Sequence, residues 1–271
     1  MCVTSAPARI VGTKTVTYAT TLDDQPVHIN FYQNQARNLS LEGNCMFLNY
    51  PGTHLDMVEG PQHTLRLMDL MTAKLETLEK VEPVRMMSFG GVSRDAVTVH
   101  EYGDYTTILA QGPADILEAI EQVRPDRRPQ RTDRLEQMVY FYMAMFPKDS
   151  FSLSCFSGQV EPTHPIAVSY RPRRPEMLTA PGLDGHDGNP PEIGQLMQRD
   201  FTVGFAVEGV TTGMPVHYYG STGSEAWAPT SVAGFVDNRP LAHNLDYAVL
   251  KSDLREGYTG YRLASRLVEP R

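Results

Sequence analysis

Ile10, Thr13, Thr15, Val16 and Tyr18 are β-branched or aromatic, and Val27, Ile29 and Phe31 alternate with His28, Asn30 and Tyr32. Both patterns predict pleated, half-buried strands. Asp23-Asp24-Gln25-Pro26 between them has the composition of a turn. The unbroken apolar run Cys45-Met46-Phe47-Leu48 predicts a more deeply buried strand, stopped by Pro51-Gly52.

The period then changes. After Gly60-Pro61, a helix-start pair, Leu65, Met68, Met71, Leu75 and Leu78 recur at helical spacing, and Glu82-Pro83 ends the pattern. Strand character returns at 84–89, breaks at Gly90-Gly91, and resumes at Val97, Val99 and 105–109 around a Tyr-Gly-Asp turn. Gly112-Pro113 opens a second helix carrying Ile116, Leu117, Ile120 and Val123. A third begins at Asp133 and Glu136, read as an N-cap pair, and carries the stripe Leu135, Met138, Val139, Tyr142, Met143 and Phe146. The stretch 124–134 holds five arginines diluted by Asp126 and Asp133. It reads as a solvated connector and divides residues 1–127, an N-terminal α+β half, from 128–271, a helix followed by strands, the two packed as one unit.

The second half is rich in strands and loops. Strands are predicted at 151–156, 165–170, 201–207 and 233–236. Between them lies a loop, 171–195, of a length that is functional or disordered, with Met177, Leu178 and Leu183 arguing for order. The Gly-rich stretch 209–223 lacks a phosphate-cradling spacing and reads as turns. Trp227 reads as a cap on the core. The predicted class is α+β, with antiparallel or mixed sheets and about three helices in the N-terminal half. No regular strand–helix alternation supports a doubly wound sheet or a barrel.

Composition narrows the function. The 271 residues carry 24 Lys and Arg against 32 Asp and Glu, a net charge of −8. That balance disfavours nucleic acid and anionic membranes as partners and leaves a small-molecule substrate or a protein. Apolar stretches fall short of the roughly 18 residues a membrane span needs. The start of the chain lacks a secretory pattern, and three widely spaced cysteines argue against a disulfide framework or a zinc site. A cytoplasmic setting follows as the expectation.

Three readings of the chemistry stand. In Asp184-Gly185-His186-Asp187-Gly188-Asn189, Asp184 and His186 fall on one side of an extended chain and can share a divalent metal or act as an acid/base pair. With His164 and Asp200, both at strand edges, they predict a hydrolase or lyase whose catalytic groups are His164, His186 and Asp200 and whose metal ligands are Asp184 and His186. The same residues are also what an ordinary solvated turn contains. The second reading is a non-catalytic interaction or structural module. The third makes Cys2, N-terminal once Met1 is removed and activated by its own α-amino group, the nucleophile of an amidohydrolase, although Pro7 interrupts the chain before the apolar pattern begins. On that interruption Cys2 is expected to be more exposed than Cys45 and Cys155, which read as core.

Overall fold

The computed structural model describes residues 2–58, 61–76, 97–160, 164–216 and 228–257. In chain order its first half runs β1 (Val3–Thr4), β2 (Ala8–Leu22), β3 (Gln25–Asn38), β4 (Asn44–Tyr50), β5 (Gly52–Met57), α1 (Pro61–Glu76), β6 (Val97–Tyr102), β7 (Tyr105–Ala110), α2 (Ile116–Ala119) and α3 (Asp133–Met145). The rest is β8 (Ser150–Phe156), β9 (Gln159–Val160), β10 (Ile166–Pro172), β11 (Met177–Ala180), β12 (Leu196–Met197), β13 (Phe201–Val207), β14 (Met214–Pro215), β15 (Ser231–Asp237), β16 (Ala242–His243), β17 (Tyr247–Leu250) and α4 (Lys251–Arg255). The strands expected at 84–89, the helix end at Glu82-Pro83 and Trp227 lie outside the described residues.

The α+β expectation is corrected: the fold is mostly β. Among the described residues seventeen strands stand against four α-helices. Two of the three helical stripes form full helices, α1 and α3, and the third is broken up. Residues 113–122 split into a single α-turn flanked by 3-10 turns, Pro113–Asp115 and Ile120–Gln122. Strand pairing also recruits segments without a strand pattern of their own. The 171–195 loop contains β11, paired with β17.

Two sheets dominate. One has five antiparallel strands in the order β1-β4-β8-β7-β6, and the other has the order β14-β15-β13-β2-β3-β10-β5 with β9 beside β3. Both draw strands from either side of residue 128. The β2–β3 hairpin is the spine of the larger sheet. Asp23 and Asp24 sit at φ 48° and 58°, the two left-handed positions of a hairpin turn whose twist matches the strands. Among the described residues only β13–β2 pairs parallel in this sheet.

Alternation along the strands sorts the core into layers. Cys45, Phe47, Ile108, Leu153 and Cys155 face α2 and α3, meeting Ile116, Leu135, Met138 and Tyr142. Met46, Leu48 and Tyr50 face the other way and pack on Tyr32, Val168 and Tyr170 of the larger sheet. The far side of that sheet, through Val16, Ile29 and Phe31, is covered by Leu67, Met68 and Met71 of α1. Phe201, Val203 and Phe205 pack on Leu178, Tyr247 and Val249 of the β11–β17 ribbon. Thr132, not Asp133, caps α3: its hydroxyl accepts from the Leu135 amide at 3.3 Å. Among the described residues no helix is long and apolar enough to cross a membrane.

Candidate functional site

The segment following Pro181 is held in place by two side chains that the sequence reading did not single out. Asp246 accepts from the amides of Gly182 and Leu183 at 2.8 and 2.9 Å. Asn244 accepts from the Asp184 amide at 2.8 Å and donates to the Asp184 carbonyl at 2.7 Å, a two-way clamp. Beyond it the chain runs along the first residues of the protein. Thr4 N–H donates to Gly185 O at 2.8 Å, and Ala8 N–H donates to His186 O at 2.9 Å. The Asp-Gly-His-Asp run is thus a strap laid on β1 rather than a solvated turn. The one legible signal was the alternation Asn244-Leu245-Asp246, which puts both clamping side chains on one side of an extended chain.

The strap brings three candidates together. His186 Nε2 lies 2.7 Å from Asp184 Oδ1. The pair meets in proximity rather than in a well-aligned hydrogen bond, and neither atom has another hydrogen-bond partner. The Cys2 thiol lies beside the same imidazole and the Tyr32 hydroxyl, and Asn34 Nδ2 is 3.8 Å from its sulfur. Burial opposes a charge on the ring, but Asp184 and Cys2 outweigh it, raising the His186 pKa to about 10. Burial, and then the Cys2 sulfur, push the Tyr32 hydroxyl well above its usual range. The expectation that Cys2 is the most exposed cysteine is corrected. Cys2, Cys45 and Cys155 are all fully buried, because β1 starts at Val3 and seats its neighbour in the core before Pro7.

The other candidates sit elsewhere. His164 Nδ1 is 2.6 Å from Asp104 Oδ2, a half-exposed pair at the β6–β7 turn. Asp200 accepts from the Gly12 amide at 3.1 Å, where Gly12 at φ +61° makes the bulge in β2. His164 and His186 therefore answer to different carboxylates, and Asp200 fixes a bulge. Among the described residues no group of three His, Cys, Asp or Glu side chains is arranged to hold a metal, and Asp184 and His186 touch each other as an ion pair.

A cleft of about 740 Å3 opens between the end of α3 and the β11–β17 ribbon. Met145, Phe146, Leu183 and Leu245 supply its apolar lining. Asn49 bridges Asp149 and Asp246 on its floor, at 3.1 and 3.3 Å, and Arg173 is paired with Asp149. Lys148 and Arg174 stand on its rim. None of Cys2, His164, Asp184, His186 and Asp200 lines this cleft or the hollow of about 730 Å3 beside Arg128.

No family model and no curated protein matches the chain. One solved structure, a crystal structure of baculovirus P35, superposes with a TM-score of 0.42 at 10% identity, covering 93% of this chain and 92% of that one.

Proposed function

We propose that the protein is a non-catalytic binding module whose cleft takes a polypeptide segment with an apolar anchor beside an acidic group. The observation that carries this reading is the separation of cavity from chemistry: the cleft is lined by none of the candidate catalytic residues. A catalytic site needs its reacting groups around a shared concavity, whereas a binding cleft needs an apolar floor and a few polar groups. Met145, Phe146, Leu183 and Leu245 provide the floor. Lys148, together with Arg174, which is also paired with the exposed Glu176 at 2.9 Å, puts positive charge beside the cleft of a chain whose net charge is −8, which favours an acidic group on the ligand. Met145 and the neighbouring Tyr140 and Met143 stay exposed on α3, extending the apolar surface beyond the cleft.

A random peptide library displayed on phage tests this. Selected peptides should pair an acidic residue with an apolar one. Their binding should fall at least tenfold in a Met145→Glu/Lys148→Glu protein of unchanged stability. Failure to select peptides, or peptides indifferent to those substitutions, rejects the reading.

A second reading rests on a different observation, the contact of the Cys2 thiol with a carboxylate-paired imidazole. That arrangement is the one by which a thiol is activated for acyl transfer, as in an amidohydrolase. Iodoacetamide labelling of the native protein separates the two. Fast labelling of Cys2 that is lost in His186→Gln supports the nucleophile. Labelling that waits for unfolding rejects it.

A further inference from the structure

Cys45 and Cys155 are 110 positions apart in sequence and directly opposite each other across β4 and β8. Antiparallel partners are of two kinds, and backbone hydrogen bonds identify this one. Cys45 N–H donates to Ser5 Oγ at 3.2 Å, and Cys45 C=O accepts from Ser5 N–H at 3.0 Å. Both backbone groups of Cys45 therefore point away from β8, toward Ser5. The Cys45–Cys155 pair is of the non-hydrogen-bonded kind, in which Cα atoms approach to about 4.5 Å and side chains lie closest. That separation falls within the range of roughly 4.4–6.8 Å that a disulfide spans. The two side chains share the face under α3, and the Cys155 thiol lies beside the Cys45 thiol.

We propose that Cys45 and Cys155 form a cross-strand disulfide when the protein folds in an oxidising medium. In the assembled sheet both thiols are fully buried, and burial pushes the Cys155 thiol well up, so the native protein is a poor substrate for oxidation. The bond therefore closes during folding, or when β4 and β8 open. The Cys155 thiolate attacks oxidised glutathione, forming a mixed disulfide and releasing one glutathione thiolate. The Cys45 thiolate then attacks the Cys155 sulfur, forming the cross-strand bond and releasing the second. Two protein thiols lose two protons and two electrons, and one glutathione disulfide becomes two glutathione thiols. Cys2 belongs to the layer on the other side of the five-stranded sheet and takes no part.

Closing so long a loop constrains the unfolded chain strongly, and the pair needs little movement to bond. The site is thus a latent staple between two interior strands of the smaller sheet. It makes stability depend on the redox state in which the chain folded.

The test is refolding of the full chain in a glutathione redox buffer, against refolding in a strong reductant. Peptide mass spectrometry without reduction should find Cys45 linked to Cys155, with Cys2 free. Tm should be several degrees higher than in the reduced protein. A Cys2→Ser chain should form the same link and show the same shift. Three free thiols after oxidative refolding, a link through Cys2, or an oxidised protein with a lower Tm would each overturn the proposal.

Discussion

Two histidines, His28 buried and His186 partly buried, give the protein opposite pH limits. His28 is fully buried against the edge of Tyr170, with ring centroids 5.6 Å apart. Burial, and then the charge of Lys251, lower its pKa to about 3. The folded state thus resists a proton that the unfolded chain accepts at its ordinary value of about 6.5. The neutral ring's contribution is complete above pH 6.5 and is lost as pH falls toward 3. By pH 5 the loss is about 2 kcal/mol. His186 runs the other way. With its folded pKa raised to about 10, the contribution of its charge is complete below pH 6.5 and is lost as pH rises toward 10. Denaturant midpoints measured from pH 4 to 10 should peak near neutrality. His28→Phe should flatten the acid limb and His186→Gln the alkaline limb, each leaving the other in place. A profile that neither substitution alters would contradict the assigned protonation states.

Individual elements depend on a few backbone positions. Gly204 and Gly234 face each other across β13 and β15, and Leu75 of α1 rests over them. A Cβ on Gly234 would fall 2.2 Å from the Val203 carbonyl oxygen and 2.8 Å from the Leu75 side chain. The carbonyl is backbone and cannot swing aside. Gly234→Ala should therefore cost about 3 kcal/mol, the upper end of an ordinary overpacking, and a thermal melt would show it. The β2–β3 turn offers the reverse experiment. Two aspartates occupy left-handed positions that Asn-Gly adopts at lower cost. Replacing Asp23-Asp24 by Asn-Gly should raise stability by about 0.5–1 kcal/mol and leave peptide binding unchanged.

At the scale of the whole molecule, the strap and the chain before β17 are joined by a buried cation, Arg199. Arg199 is 2% exposed and stands 4.8 Å above the Phe201 ring and 5.7 Å from that of Tyr247. Its guanidinium donates to the carbonyls of Gly182, His243 and Leu245, joining the start of the strap to the chain before β17. Those carbonyls flank Leu183 and Leu245 of the cleft and Asp184 of the strap. Arg199→Met keeps the volume but leaves the carbonyls without their donor. It should cost about 3 kcal/mol and weaken cleft binding together with the alkaline limb of the pH profile. Peptide affinity and denaturant midpoint, measured on the same variant, check both consequences. An Arg199→Met protein that loses stability while keeping affinity would show the strap and the cleft to be independent.

Local order was legible where one residue's neighbours in sequence are also its neighbours in space. The alternation at 10–18 and 27–32 marked the great hairpin, the run 45–48 marked a strand buried on both faces, and the stripe from Leu135 to Phe146 marked α3. The same-side placement of Asp184 and His186 was legible too, since it follows from the two-residue period of an extended chain. Tertiary structure decided the rest. The balance between helix and sheet was misjudged because β11 and the two-residue strands exist only through partners far along the chain. Cys2 reads as exposed because nothing beside it in sequence covers it; its cover comes from Asn34, Tyr32 and a strap more than 180 residues away. His164 and His186 looked alike as histidines at loop edges, and folding gave each its own carboxylate. Cys45 and Cys155 read as two unrelated core residues until the register of β4 on β8 set them face to face. Periodicity records which way a side chain points. What it meets there is set by strand pairing over long separations, which no local pattern encodes.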